Sequence, residues 1–548
     1  MTSRFSLPDT GITAPPAFVN PVSCQDWLAT VPMANPAQAQ AMVLRQLNLL
    51  HRYTLAAADR LAVLESLRET VGDMQGDVAK KFAGKALPFT AAEQTALDGT
   101  VAVWHALLDN YLRCVEAAAG GETALRDQRA LVAQRALAVL ADLAADLCRG
   151  EQLPHGDFWR LLHQVFAVAE QMGVLQEPVV DNPRHGNTPT TVLGTYAETH
   201  LIHVASPFEL PQRHLNWIVR WARRWGAKIT LLTAPPADPA GRAIPLCVDL
   251  ESDRPAGYRP VPGPGMRWME TTELRRSLKT RLVMLENGEQ PSRLQLGEDC
   301  TQPAAGQLLQ RVYQRWCKGG EARRQERKPA AGGCEFIVGL EAVHYYLSGR
   351  QPFRPPASDE SMLRRQRDEI ATFGRAATHH DEHYSTEHGY AVESWAIIDD
   401  WQLLDQSANG LRLSRPLKGG VRIGTGQIVA VKLAGSGHFT TGCVRWALHD
   451  TPAGGEPLLS VGIQLFPGSA TPVALRGAEP GSREPYRQGL LLPAIPAIHE
   501  AESVIAPVGT FRIGRMIEVF RDKTPQRLTL AKVLDRGGEF ERCSFSSA

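Results

Sequence analysis

The sequence predicts a multidomain α+β protein with a helical N-terminal bundle, a mixed middle domain and a C-terminal antiparallel β-barrel followed by a β-rich tail. Its 548 residues exceed what one core of ordinary size accommodates, so two to four domains are expected. Hydrophobic residues make up 43 % of the chain and charged residues 21 %, as in globular proteins. Along the chain, helical spacing of apolar residues changes to short β-like runs separated by glycine-bearing turns.

Helical periodicity dominates the first third of the chain. Residues 1–35 are rich in Pro, Ser and Thr and predict an extended lead-in. Residues 36–178 contain VLRQLNLL, LAVLESLRETV and ALAVLADLAADLC, which are helix-prone and carry apolar residues at helical spacing. Pro88, Gly120 and Gly121 interrupt this spacing and mark loops between helices. An α-helical domain is therefore expected here.

The stretch from 179 to 315 predicts a mixed α/β or α-rich middle domain. Strand candidates are KITLLTA and PLCVDL, and two later segments have helical spacing, TTELRRSLKTRLVML and AGQLLQRVYQRWC. A helix before the first strand carries Trp217, Trp221 and Trp225, interleaved with arginines. Such a pattern could bind nucleic acid, but it also fits a helix that buries one aromatic stripe and exposes a basic face. We favour burial of the tryptophans.

After about residue 320, short branched and aromatic runs predict strands. GLRLSRPL, QIVAVKLAG, TTGCVRWAL and LLSVGIQLF are typical of an antiparallel barrel, since turns with glycine separate most of them. We place this barrel at residues 320–476, with a polar insertion at 350–392 between its first two strands. Residues 477–548 form a β-rich C-terminal extension.

Two short motifs flank the first two predicted strands of the barrel. R-R-Q-E-R precedes the first strand, and D-Q-S-A-N-G ends the second. Arginine can bridge phosphate oxygens, stack on a purine or bind guanine O6 and N7, and an aspartate can accept hydrogen bonds from guanine N1 and N2. The candidate ligand-binding residues are Arg323, Arg324, Arg327, Asp405, Ser407, Asn409 and Gly410.

Together with the later runs GCVRW and SVGIQLF, these motifs resemble the PilZ family of cyclic di-GMP receptors. The resemblance covers residues 320–476 and implies that cyclic di-GMP, a compact dianion with two guanines, is the ligand. It also implies an arginine arm that closes onto Asp405 and Ser407. Arg327 and Asp405 are 78 positions apart, more than is usual in the family, because of the polar insertion. We therefore expect a signalling receptor that transmits ligand occupancy to a protein partner through its helical or middle domain.

Other interpretations of the two motifs stay open. The arginine cluster belongs to a charged run that is typical of a solvated linker, and D-Q-S-A-N-G can form a turn in which Asp405 and Ser407 cap their own backbone. The barrel would then be a scaffold that acts only through protein–protein contacts. No Ser/His/Asp or Cys/His combination stands out as a catalytic set, so we do not expect an enzyme.

Charge, cysteine content and hydropathy limit the other classes of protein that the chain could belong to. Lys plus Arg total 59 against 58 for Asp plus Glu, which gives no support to non-specific nucleic-acid binding. The nine cysteines form no C-x-x-C pair and suit free thiols in the cytoplasm. His379, His380, His383 and His388 could ligate a metal, yet a polar loop explains them better, so we expect none. The chain lacks a run of about 18 apolar residues, and no membrane insertion is expected.

Overall fold

The computed structural model of the chain divides into two compact units. One comprises residues 1–85 and 89–324, and the other residues 86–88 and 325–548. The residues that the structure describes are 5–11, 14–236, 242–260, 263–320, 327–356, 397–451, 455–479, 484–521 and 524–547. Most of the expected polar insertion, with its four histidines, lies outside these ranges.

Helices form most of the first unit, and several of their starts are encoded locally. Thr90 and Glu93 form a capping box at the start of α4, and Asn35 followed by Pro36 begins α2. The helices are α1 (Pro21–Leu28), α2 (Pro36–Arg52), α3 (Ala57–Ala79), α4 (Ala91–Ala119), α5 (Arg129–Arg149), α6 (Gly156–Gln171), α7 (Asn182–His185), α8 (Val192–Val204), α9 (Gln212–Trp225), α10 (Thr272–Glu286) and α11 (Ala304–Cys317).

The bundle packs around α5, which is buried along most of its length. Its alanines leave little side-chain volume, so neighbouring helices can approach closely, and α4, α6 and α8 all pack against it. Two charged side chains on α5 are paired inside the bundle. Arg135 contacts Glu65 at 2.9 Å, and Asp146 accepts a 2.7 Å hydrogen bond from the Trp104 indole. The expected helical N-terminal part is confirmed.

A small sheet and the tryptophan stripe form the rest of the first unit. The sheet is antiparallel, in the order β1 (Thr230–Leu232), β3 (Met266–Glu270), β2 (Leu246–Asp249). Trp217, Trp221 and Trp225 on α9 are buried, and the Trp217 indole donates a 2.6 Å hydrogen bond to Asp299. The stripe is therefore core, as expected, and it does not offer its ring faces to nucleic acid.

The second unit consists of two closed six-stranded barrels. The first has the strand order β4-β5-β6-β9-β8-β7 and the second β10-β11-β12-β15-β14-β13. Their elements are β4 (Lys328–Val338), α12 (Leu340–Leu347), β5 (Asp399–Ser407), β6 (Gly410–Pro416), β7 (Ile428–Leu433), β8 (Thr440–Asp450), β9 (Leu458–Leu465), β10 (Thr471–Gly477), β11 (Arg487–Leu492), β12 (Ser503–Pro507), β13 (Met516–Arg521), β14 (Thr524–Arg536) and β15 (Phe540–Ser547).

The barrel architecture confirms the expected antiparallel fold. The β-rich tail closes into a second barrel only together with β10 (Thr471–Gly477), which the sequence had placed in the first barrel. Closure leaves neither sheet with an unpaired edge strand. Residues 86–88 join this unit because Leu87 and Ile423 form an antiparallel bridge. Among the described residues, no helix combines the length and the apolar character needed to cross a bilayer.

A stack of buried rings connects α6 and α8 in the first unit. The His200 ring lies between those of His163 and Trp159, at centroid distances of 5.7 and 5.4 Å. His163 Nε2 lies 2.8 Å from a backbone carbonyl oxygen, so neutral His163 donates there and accepts the Tyr196 hydroxyl proton at Nδ1. Burial lowers the pKa of His163 and of His200, and lowers that of His203 to about 4.

These histidines should make the first unit less stable in mild acid. The unfolded chain protonates histidine near pH 6.5, whereas the folded protein resists protonation until about pH 4 at His203. The unfolded state therefore binds more protons in this window, and stability falls as the pH decreases from about 6.5 towards 4. Urea denaturation of the protein, followed by hydrogen exchange in α6 and α8, measures this at pH 7 and pH 5.

His203→Phe removes one of these groups and should reduce the loss of stability between pH 7 and pH 5. His438 is exposed in a turn of the second unit, so His438→Ala serves as the control and should keep the full pH dependence. Equal stability of α6 and α8 at both pH values would contradict the assignment of buried neutral histidines.

Candidate ligand-binding face of the first barrel

The D-Q-S-A-N-G motif forms the tight connection between β5 and β6. Ser407 pairs with Gly410 across the hairpin, and Asp405 pairs with Arg412. Residues two apart on a strand point to the same side, so these four residues share one face of the barrel. We call the outward surface formed by Asp405, Ser407, Gly410 and Arg412, together with Arg327, the motif face.

A register shift in β5 places Asp405 on the outside of the barrel. Trp401 and Leu403 are buried, and strict alternation would turn Asp405 to the same interior side. The shift lies between Leu403 and Asp405, where Leu404 is an extra residue without a partner on β6. Such a bulge reverses the sides of the residues that follow it, so a carboxylate that would lie in an apolar core faces solvent.

Arg327 reaches the motif face from the start of β4. Lys328 pairs with Gln406, and Pro329 pairs with Asp405, so the first residues of β4 run beside the end of β5. Nη1 of Arg327 lies 2.7 Å from Oδ1 of Asp405, and the two side chains are 31 % and 21 % exposed. The expected approach of an arginine to this aspartate is present in the structure.

Ser407, Asn409 and Gly410 shape the floor of the face. Among the described residues, the Ser407 hydroxyl makes two long contacts within the turn, 3.5 Å to Asn409 Oδ1 and 3.4 Å to the Gly410 carbonyl oxygen. A Cβ on Gly410 would lie 3.1 Å from the Ile463 carbonyl oxygen and 3.9 Å from Nη2 of Arg327. Gly410 is buried, and a side chain there would crowd the Ile463 carbonyl oxygen, so the close approach of β9 favours glycine at this position.

Strands β6 and β8 add an arginine and a tryptophan that the two sequence motifs do not contain. Arg412 pairs with Gly462 on β9, and Gly462 pairs with Trp446 on β8. A Cβ on Gly462 would lie only 2.1 Å from Nε1 of Trp446, so the indole covers this glycine. The guanidinium carbon of Arg412 lies 6.0 Å from the centroid of the Trp446 ring.

Hairpin closure could have identified Arg412 from sequence. If Ser407 and Gly410 close a two-residue turn, the pairing of Asp405 with Arg412 follows. No comparable sequence signal identifies Trp446, because its place beside the face depends on how β8 and β9 pair.

The motif face carries two guanidinium groups and one carboxylate, which gives it a net positive charge. Nε of Arg412 is buried and has no hydrogen-bond partner among the described residues. The donor set therefore suits a ligand that combines anionic oxygens with a planar base.

Arg323 and Arg324, the other two candidate arginines, lie outside the described residues. So do the four histidines of the polar insertion. Within the ranges that the structure describes, no three His, Cys, Asp or Glu side chains are grouped closely enough to hold a metal ion.

A polar cavity of about 420 Å³ lies in the first unit and is lined partly by Lys228 and the start of α10. Its arginines are paired with its own acids, since Arg242 contacts Glu270 at 3.1 Å and Arg276 contacts Glu273. Because both arginines already have an acidic partner, we do not assign a ligand to this cavity.

Comparison with known proteins covers most of the chain. Residues 22–237 match the N-terminal domain model of the cyclic-di-GMP receptor FimW, residues 246–399 match its middle PilZ domain, and residues 473–548 match the FimW C-terminal beta-barrel domain. The D-Q-S-A-N-G motif falls between the second and third of these matches.

One curated relative spans nearly the whole chain. It is the cyclic-di-GMP receptor FimW of Pseudomonas aeruginosa, which is 23 % identical over 568 aligned positions that cover 96 % of this chain and 90 % of the relative. The PilZ match begins in the first unit and ends at Asp399, the first residue of β5, so it includes β4 and α12 of the second unit. The chain therefore belongs to the PilZ-related family that these models describe.

Proposed function

We propose that this protein is a signalling receptor that binds cyclic di-GMP on the motif face of its first barrel. The observation that carries the proposal is the 2.7 Å contact between Arg327 and Asp405, which unites the two motifs across 78 positions of sequence. The relative that aligns along nearly the whole chain bears the name of a cyclic-di-GMP receptor, which supports the same ligand.

The arginines of the motif face would bind the anionic part of the ligand. Cyclic di-GMP carries two phosphates, and guanidinium groups form charge-assisted, bidentate hydrogen bonds to phosphate oxygens. Arg327 and Arg412 lie on either side of Asp405. Arg323 and Arg324 precede Arg327 by only four and three positions in sequence, so the same segment can supply further positive charge.

Asp405 would recognise guanine through its carboxylate. In the structure this carboxylate is paired with Arg327, and both side chains are partly exposed. An ion pair of this kind contributes about 0–1 kcal/mol, so its rearrangement costs little. Ligand binding would therefore redirect Arg327 to phosphate and leave Asp405 free to accept hydrogen bonds from guanine N1 and N2. Ser407 and Asn409 would add polar contacts at the edge of the base.

Occupancy of the site could be transmitted through Arg327, because it lies where the second unit begins in sequence. A change in the position of this arginine acts on the segment that leads to the helical unit, which we propose as the partner-binding part. We place the protein in the cytoplasm, where its nine free and buried cysteines would remain reduced.

A scaffold that does not bind nucleotide is the second candidate. It is favoured by Ser407, whose contacts to Asn409 and Gly410 are those of a self-capped turn. Such a protein would bind its partner equally with and without cyclic di-GMP, and it would give no heat on titration with the nucleotide.

Arg327→Ala and Asp405→Ala should each weaken cyclic di-GMP binding by roughly ten- to a hundredfold. The expected loss corresponds to one charge-assisted contact of about 1.5–3 kcal/mol. Isothermal titration calorimetry with cyclic di-GMP, and with GTP and cyclic AMP as specificity controls, measures the affinity. Both variants should keep their unfolding free energy within about 1 kcal/mol, because the pair is partly exposed.

Charge-matched variants separate a specific site from general electrostatics. Lys418 and Asp400 are exposed residues of the same barrel, so Lys418→Ala and Asp400→Ala change the net charge in the same way as the site variants. Both controls should bind like the wild type. If both single variants, Arg327→Ala and Asp405→Ala, kept the affinity of the wild type, the proposed site would be refuted. If the wild type did not bind cyclic di-GMP, the result would favour the scaffold.

Trp446→Leu and Arg412→Ala should also weaken binding. Stacking of a base on an aromatic side chain is worth about 1–3 kcal/mol, so the loss expected for Trp446→Leu is roughly five- to a hundredfold. Trp446→Phe keeps an aromatic face and should retain most of the affinity. Calorimetry measures all three variants, and equal affinity of Trp446→Leu and wild type would remove the tryptophan from the site.

A further inference from the structure

The two barrels of the second unit share one strand order. If the strands of each barrel are numbered from one to six along the chain, both sheets run 1-2-3-6-5-4 and close between strands 4 and 1. All neighbouring strands in both barrels are antiparallel. The C-terminal barrel therefore repeats the topology of the barrel that carries the motif face.

The repeat can be followed to individual positions of the motif face. Next to the connection between strands 2 and 3, Ser407 pairs with Gly410 in the first barrel, and Leu492 pairs with Ser503 in the second. Two residues further from the connection, Asp405 pairs with Arg412, and Leu490 pairs with Ile505. By register, Leu492, Leu490 and Ile505 thus occupy the places of Ser407, Asp405 and Arg412.

These leucines point away from the interior of their own barrel. Leu491 and Val504 lie in the core of the second barrel, and alternation places Leu490 and Leu492 on the opposite, outer side. Both leucines and Ile505 are nevertheless 0 % exposed. The face that is polar and partly open in the first barrel is apolar and covered in the second.

The covering layer is α12 together with the first barrel. Leu490, Leu492 and Ile505 belong to one buried cluster with residues of α12, including Val343, and with Ile428 of β7. Because the cluster is continuous, the apolar side chains of the second barrel exclude water from those of the first barrel and of α12. This burial stabilises the packing of the two barrels against each other.

Polar contacts at the margin of this cluster fix its geometry. The Glu539 carboxylate, at the turn before β15, accepts a 2.6 Å hydrogen bond from the backbone N–H of Ile428 and another from the N–H of Leu340, at the start of α12. The N–H of Gly538 donates to the Gly426 carbonyl oxygen at 2.9 Å. The second barrel thus holds both the N-terminus of α12 and the beginning of β7.

We propose that the C-terminal barrel is a second PilZ-type barrel whose ligand face has become the interface that holds α12 and the first barrel, so that each chain has a single nucleotide-binding face. The part that concerns nucleotide rests on the proposed function. β4 begins next to Arg327, and α12 directly follows the end of β4. Because the second barrel holds α12, it also anchors the C-terminal end of β4.

Hydrogen exchange tests the interface without any ligand. Leu490→Ala removes side-chain volume from the shared cluster, whereas Leu491→Ala, one position away, removes it from the core of the second barrel alone. Leu490→Ala should raise exchange rates in α12 at least tenfold. Leu491→Ala should raise them in β11–β13 and leave α12 at wild-type rates.

Glu539→Gln serves as a second variant in case Leu490→Ala fails to fold. It keeps the size of the side chain and removes the negative charge of the carboxylate that accepts hydrogen bonds from the backbone N–H groups of Leu340 and Ile428. It should also raise exchange in α12. The proposed interface would be overturned if α12 kept its wild-type exchange rates in both Leu490→Ala and Glu539→Gln. It would also be overturned if Leu491→Ala raised the exchange rates of α12 as much as Leu490→Ala does.

Calorimetry tests the single ligand face. If the wild type binds cyclic di-GMP, a double variant with Asp405→Ala and Arg327→Ala should leave no second binding phase of wild-type affinity. A residual phase of that affinity would show that the second barrel binds nucleotide and would overturn the proposal. If the proposed function is wrong, the wild type itself gives no heat on titration with cyclic di-GMP, which is a different result. The hydrogen-exchange test of the interface is decisive in either case.

Discussion

The motif face depends on the pairing of the start of β4 with the end of β5. This pairing brings Arg327 within 2.7 Å of Asp405, although the two residues are 78 positions apart. The loop between the two strands can be long because the entropy of loop closure grows only slowly with length. What holds the arginine at the face is the ladder of backbone hydrogen bonds, and the partly exposed ion pair itself adds little stability.

The bulge at Leu404 decides what this pairing can do. Without the register shift, Asp405 would follow Leu403 into the apolar interior, where an unpaired carboxylate is strongly unfavourable. With it, the carboxylate lies between Arg327 and Arg412 on the outer surface. A single inserted residue therefore converts the end of a structural strand into a polar site, which is a frequent role of bulges near functional surfaces.

The two barrels show how one topology can support opposite surface chemistry. In the first, the outer face of strands 2 and 3 carries Asp405 and Ser407, and in the second, Leu490 and Leu492 occupy the matching places. The polar set can accept a hydrated, charged ligand, whereas the apolar set is stable only when another surface excludes water from it. In this chain that surface is α12 with the first barrel.

The sequence by itself determined the fold class, since helical and alternating apolar patterns are local properties of the chain. It also determined the residue types of the site, because R-R-Q-E-R and D-Q-S-A-N-G are contiguous. The resemblance also predicted that an arginine reaches Asp405. Only the tertiary structure decided that the pairing of β4 with β5 brings it there, that Trp446 covers Gly462 beside Arg412, and that the tail closes with β10 as a second barrel. These features depend on which strands pair and in which register, and pairing between distant segments leaves no local pattern in the sequence.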